Sequence, residues 1–148
     1  MFGKMASAAP VSMDFGLLLL RLGIGASLFL FHGYAKMTGG PERWGMIGGN
    51  MEMLGITFAP VFWGFMAAFA ESVGSILLVL GPLFRIAALM LAFNMFVAVL
   101  RHLSLPVDDP ASGWSGASHA LEYMTVYLAL FFTGAGRFAF KLGRVEKR

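Results

Sequence analysis

Residues 61–103 read VFWGFMAAFAESVGSILLVLGPLFRIAALMLAFNMFVAVLRHL, two long apolar runs parted only by Gly81, Pro82 and Leu83. Each run has the roughly 20 residues that a helix needs to cross the hydrocarbon core of a bilayer. Pro60 stands where a helix begins and Gly81-Pro82 where one ends. A turn this short forces the two helices to run antiparallel. The stretch therefore predicts a transmembrane hairpin with spans at 61–80 and 84–103.

Two further runs complete the pattern. One extends from Phe15 to Met37, broken by Arg21, His32 and Lys36; the other extends from Ala117 to Ala135 and is closed by Gly134 and Gly136. Of 148 residues, 58% are apolar and 13% charged, against about 45–50% and about 25% in soluble domains. The expectation is an all-α protein, a single four-transmembrane-helix domain over residues 1–148 with spans near 15–37, 61–80, 84–103 and 117–135. A cleaved signal peptide is disfavoured, because the small residues Ala6, Ser7, Ala8 and Ala9 precede the apolar run instead of following it. With no cysteine in the chain, the sequence offers no disulfide, thiolate metal site, iron–sulfur ligand set or CxxC relay.

Basic residues set the expected orientation. Lys4, Arg85, Arg137, Lys141, Arg144, Lys147 and Arg148 fall on one side, and Lys36, Arg43 and Arg101 on the other. That bias places both termini in the cytoplasm and assigns the net charge of +3 to topology instead of nucleic-acid binding. Residues 38–60 and 104–116 then face outward. The first of these loops contains Trp44, Met46, Ile47, Met51, Met53, Leu54, Ile56 and Phe58, apolar enough to lie in the interface or re-enter the bundle mouth as a lid.

Ionisable groups within spans are the candidates for chemistry, since each is costly to insert. At 100° per residue, Arg21, Gly25, His32 and Lys36 form one stripe on the first helix. Glu71 shares a face with Gly64, Ala67, Ala68, Gly74 and Ser75, so it points at protein. Asn94 and Arg101 are nearly eclipsed, and His119 and Glu122 stand at i, i+3. The expected ligand-binding or proton-handling set is His32, Lys36, Glu71, Asn94, Arg101, His119 and Glu122, in the outward half of the bundle. Lys36 and Arg101 would balance Glu71 and Glu122. The competing reading is that these groups only hold helices together, and that Arg21, Lys36 and Arg101 snorkel to an interface. No metal site is expected; His32, His119, Met46, Met51 and Met53 are the weak candidates, for haem or for copper(I).

RLGIGASLFLFHGYAKM (21–37), AESVGSILLVLGPLFRIAAL (70–89) and LEYMTVYLALFFTGAGRFAF (121–140) resemble successive segments of the DoxX family of membrane proteins. His32, Gly33, Lys36, Glu71, Gly81, Arg85, Glu122, Gly134, Gly136 and Arg137 match its pattern, while Gly134-Ala135-Gly136 replaces the usual G-P-G. The resemblance implies a four-helix bundle of the bacterial cytoplasmic membrane. It also implies association with redox assemblies, as in the small subunit of thiosulfate:quinone oxidoreductase.

Three function classes follow. The leading one is a membrane subunit of an oxidoreductase assembly that interacts with quinone, the electrons coming from a partner protein since the chain shows no flavin, iron–sulfur or haem attachment motif. The second is a structural accessory subunit of a respiratory or photosynthetic complex, using the small-residue face of helix two for lateral packing. The third is metal or small-molecule handling, with an oligomer needed for transport. The lipid bilayer is the expected partner, together with membrane or membrane-associated redox proteins or further copies of the chain; nucleic acid is not.

Overall fold

The computed structural model describes residues 10–140. Lys4, Lys141, Arg144, Lys147 and Arg148, on which much of the orientation rests, lie outside the described residues, as do Ala6, Ser7, Ala8 and Ala9 of the signal-peptide argument.

Five helices and no strand make up the described residues. They are α1 (Met13–Met37), α2 (Gly40–Gly48, continued as a 3-10 turn over Gly49–Leu54), α3 (Pro60–Leu80), α4 (Phe84–Ser104) and α5 (Gly113–Thr133). The helices α1, α3 and α4 are long and apolar enough to cross a membrane. The helix α5 is as long as α4, 21 residues, but Ser115, Ser118, His119 and Glu122 in its first half lower its apolarity. Ser12 caps α1 by accepting from the Phe15 amide, and α5 ends where Gly134 turns to a φ of 78°.

The most extensive packing is α4 along α5, and α2 along the first half of α3. Leu78, Ala88, Leu91, Tyr127 and Leu130 are almost wholly enclosed in the common core. Outside it, Leu30, Phe31, Phe93 and Phe132 remain exposed, an apolar surface suited to lipid. The chain is thus built as a membrane protein.

The loop between the first two long helices proves to be the helix α2, lying against α3. Its approach is backbone to backbone: a Cβ on Gly64 would overlap the Trp44 carbonyl, and one on Gly48 would overlap that of Pro60. Only glycine allows this contact. The small-residue face of α3 is therefore filled from within the chain, with Gly64 against α2 and Gly74 against Leu91, and is not left free for lateral association.

Arg21 corrects another expectation. It does not snorkel to an interface; it is fully buried, donating to the Val79 carbonyl at 3.2 Å and the Phe138 carbonyl at 3.1 Å. Val79 lies in the last turn of α3, whose carbonyls have no helical partner. With the Phe140 amide donating to the Leu80 carbonyl at 2.8 Å, Arg21 ties the segment after α5 to the hairpin end of the bundle. It belongs to the framework, far along α1 from Lys36.

Candidate functional site

Two irregular turns position the site. The helix α1 widens to a π-helical turn at Phe29–Gly33 and α3 does so at Ala70–Gly74, and the two turns touch. A π turn takes in one extra residue and re-aims the side chains that follow it. Gly33 sits directly on the Glu71 carbonyl, where any Cβ would collide. The serines of α3 serve its widened backbone: the Ser72 hydroxyl donates to the Ala68 carbonyl at 2.7 Å, and the Ser75 hydroxyl donates to the Glu71 carbonyl.

Glu71 is delivered to the interior, with 2% of its surface exposed. Its Oε1 accepts from Lys36 Nζ and from Asn94 Nδ2, each at 2.6 Å. Its Oε2 is buried and has no protein partner. Lys36 comes from α1, Asn94 from α4 and Glu71 from α3, so the cluster joins three helices. The Lys36 side chain is 25% exposed, which leaves part of the ammonium's donor capacity free.

The cluster forms part of the polar wall of a cavity of about 650 Å³ between α2, α3 and α4. The remaining wall is largely thioether and aromatic, with Met51, Met66, Met90, Trp63 and Phe93 contributing. Its charged lining is Glu71 against Lys36, Arg43 and Arg101. Phe62 and Phe93 line the cavity while 53% and 50% exposed, so part of its wall continues into the apolar outer surface. The helix α2 forms the wall beyond Lys36, and two bonds fasten it to the end of α1: Arg43 Nη1 donates to the Ala35 carbonyl at 2.9 Å, and Trp44 Nε1 donates to the Lys36 carbonyl at 2.8 Å.

Of the seven candidates, the structure brings Lys36, Glu71 and Asn94 into contact and sets Arg101 in the same cavity. It does not place His32, His119 or Glu122 there. His32 is exposed, because the π turn of α1 advances the inward stripe by one residue, from His32 to Gly33. Glu122 is exposed and makes no ion pair among the described residues. The buried face of α5 carries Ala117, Ala120, Tyr127 and Leu130, and Glu122 lies about 200° around the helix from Ala120. The charge balance expected between Glu122 and the cavity's basic residues is thus not formed. His32 and His119 instead face each other across α1 and α5, ring centroids 6.4 Å apart.

Among the described residues no group of three or more His, Cys, Asp or Glu side chains could hold a metal ion. Met46 and Met51 line the cavity, whereas the Met53 sulfur accepts from the Ser104 hydroxyl at 3.2 Å. Sequence reasoning overlooked Arg43, Trp63 and His102 in the cavity wall, and also Tyr127, fully buried with an unpartnered hydroxyl. Tyr127 could have been found, since His119, Tyr123 and Tyr127 repeat at four-residue spacing. The cavity wall depends on how α2 docks, and no local pattern encodes that.

No curated protein and no solved structure matches the chain. The family model described as DoxX matches residues 16–103, a region that holds α1 to α4 and the whole Lys36–Glu71–Asn94 cluster and ends before α5. With more than half of its length covered by that match, the chain belongs to the DoxX family.

Proposed function

We propose that the protein is a four-span subunit of an oxidoreductase assembly in the cytoplasmic membrane, and that its cavity binds a quinone. In this reading α5 is the fourth span, both termini are cytoplasmic and α2 lies on the outward side. The carrying observation is the Lys36–Glu71–Asn94 cluster in a cavity whose wall joins a few further polar groups, Arg43 and Arg101 among them, to apolar, thioether and aromatic side chains. That composition suits a ligand with a polar head and an apolar body. The exposed Phe62 and Phe93 in its wall suit one dissolved in lipid.

The chemistry asks little of the chain. Lys36 has ammonium protons and Asn94 an amide proton beyond those given to Glu71, and these can donate to the carbonyl oxygens of a bound head group. When a partner protein supplies two electrons, the quinone takes up two protons to become a quinol. The Lys36 ammonium, held against Glu71 in the cavity wall, is a group of the right kind to donate one of them, and the other is drawn from the medium.

The reading is tested by quinone quenching of tryptophan fluorescence, because Trp63 lines the cavity and Trp44 sits in the helix that closes it. The protein in lipid nanodiscs should show saturable quenching by ubiquinone-1, and Lys36→Met and Glu71→Gln should each weaken it about tenfold. Unsaturable quenching, or equal affinities in all three proteins, refutes the reading. For the accessory-subunit alternative, the small-residue face of α3 is packed by α2 at Gly64 and by Leu91 at Gly74, whereas exposed phenylalanines such as Phe31 and Phe132 still offer lateral contacts.

A further inference from the structure

The wall of the cavity is unbalanced in charge. Three basic side chains line it, Lys36 from α1, Arg43 from α2 and Arg101 from α4, against one acidic side chain, Glu71. With His102 counted neutral, three positive charges against one negative leave a formal +2. Lys36 and Glu71 are paired at 2.6 Å, so the surplus belongs to the two arginines.

The chain does not neutralise that surplus among its described residues. Neither Arg43 nor Arg101 forms an ion pair there. The acidic residues nearest in sequence, Glu42 and Glu52 beside Arg43 and Asp108 and Asp109 beyond Arg101, do not line the cavity. A guanidinium carries five N–H donors; Arg43 gives one nitrogen, Nη1, to the Ala35 carbonyl at 2.9 Å, which fastens it to the end of α1 and leaves its other donors. Arg101 stands seven residues beyond Asn94, about 10 Å further along α4 and within about 20° of it in phase. One face of α4 thus presents the cavity with an amide at the Glu71 end and a guanidinium nearer the helix end. Both arginines line the cavity while partly exposed, so they stand where it meets the surface.

A cleft lined by one sign of charge between apolar walls concentrates ions of the opposite sign, and a guanidinium fork holds an oxyanion by paired, charge-assisted hydrogen bonds. A neutral quinone would use Lys36 and Asn94 for its carbonyls and leave both arginines unanswered. We propose that the cavity selects quinones whose ring bears an ionised hydroxyl, with Arg101 and Arg43 as the residues that tell this anion from a neutral ring. The apolar body then lies against Met66, Met90 and Trp63. Ring hydroxylate and guanidinium pair without any transfer of electrons or protons.

This preference rests on the quinone reading, and the two fail differently. The full chain in nanodiscs of zwitterionic lipid is titrated at neutral pH with 2-hydroxy-1,4-naphthoquinone, which is ionised there, and with 2-methoxy-1,4-naphthoquinone, a neutral compound of similar size, tryptophan quenching being the signal. The two partition differently into lipid, so the quantity read is the ratio of their affinities in each protein. Arg101→Gln should lower that ratio, hydroxylate over methoxy, by about tenfold. Arg43→Gln should lower it too, and Arg101→Lys should lower it less, because it keeps the charge and loses only the fork. Arg101 is exposed and forms no ion pair among the described residues, so thermal unfolding of Arg101→Gln should stay close to that of the unsubstituted chain. Saturable quenching with one and the same ratio in the unsubstituted, Arg101→Gln and Arg43→Gln proteins overturns the anion preference and leaves the quinone reading standing. Unsaturable quenching by both compounds refutes the quinone reading itself.

Discussion

Replacing Lys36 by methionine should destabilise the protein more than replacing Glu71 by glutamine, although both break the same ion pair. The contact is 2.6 Å long. At an effective dielectric of about 20 the gross Coulomb attraction over that distance is about 6 kcal/mol. Most of it is offset by desolvation, and removing one partner of a buried pair costs about 3–5 kcal/mol because the other charge is stranded. Lys36→Met strands Glu71, which is 2% exposed and keeps only the neutral Asn94 amide as donor. Glu71→Gln strands Lys36, whose side chain is 25% exposed and can turn its ammonium toward water. The expected losses are about 3 kcal/mol for Lys36→Met and about 1 kcal/mol for Glu71→Gln. The double substitution should cost little more than Glu71→Gln alone, a coupling of roughly 2–3 kcal/mol. Denaturant unfolding in mild detergent, followed by tryptophan fluorescence, measures all three. If Lys36→Met proves no worse than Glu71→Gln, Glu71 is not held as a buried carboxylate, and the electrostatic account of the site fails.

Further expectations concern the framework and the topology. Gly64→Leu should drive α2 off α3 and abolish quinone quenching, because its side chain would replace the contact with the Trp44 backbone; retained binding would show that α2 is dispensable to the cavity. Glu122→Gln should shift stability by less than about 0.5 kcal/mol and leave quenching unchanged, in contrast to Glu71→Gln. Arg21→Met should cost about 2–5 kcal/mol by removing a buried guanidinium from two carbonyls, and Arg21→Lys should not restore it, since one ammonium cannot span both; thermal unfolding decides. The chain has no cysteine, so single introduced cysteines report orientation directly. In intact cells an impermeant maleimide should label Val107→Cys, 98% exposed between α4 and α5, and spare Leu83→Cys, 54% exposed at the hairpin turn; the reverse pattern inverts the proposed topology.

The long helices were legible in the sequence because their signals are local. Run length, Pro60, Gly81-Pro82 and Gly134 placed helix ends close to those observed. The helix α5, expected from residue 117, begins at Gly113, a turn earlier than its apolar run, since Ser115 is polar yet helical. Glu71 was legible as well, from the small residues around it. His32 was misplaced for an identifiable reason: a count of 100° per residue assumes a regular helix, and the π turn at Phe29–Gly33 breaks the count just before the site. Glu122 was misplaced because phase was applied within α5 without knowing which face met α4. Arg21 was misread since its acceptors, Val79 and Phe138, lie 58 and 117 residues away, beyond any local pattern.

The paired π turns carry a consequence for how this chain can change over generations. Each holds one residue more than a regular helix would, and they meet where Gly33 rests on Glu71. Losing that extra residue together with the widening would leave Lys36 at its present angle, because the turn absorbs the added length. A residue gained or lost elsewhere between Arg21 and Lys36 would instead turn the two by about 100° relative to one another, taking Lys36 away from Glu71. The widened turns are thus the places in α1 and α3 where length can change without rotating what lies beyond. Among relatives that keep the same chemistry, gaps in these two segments should fall at the turns.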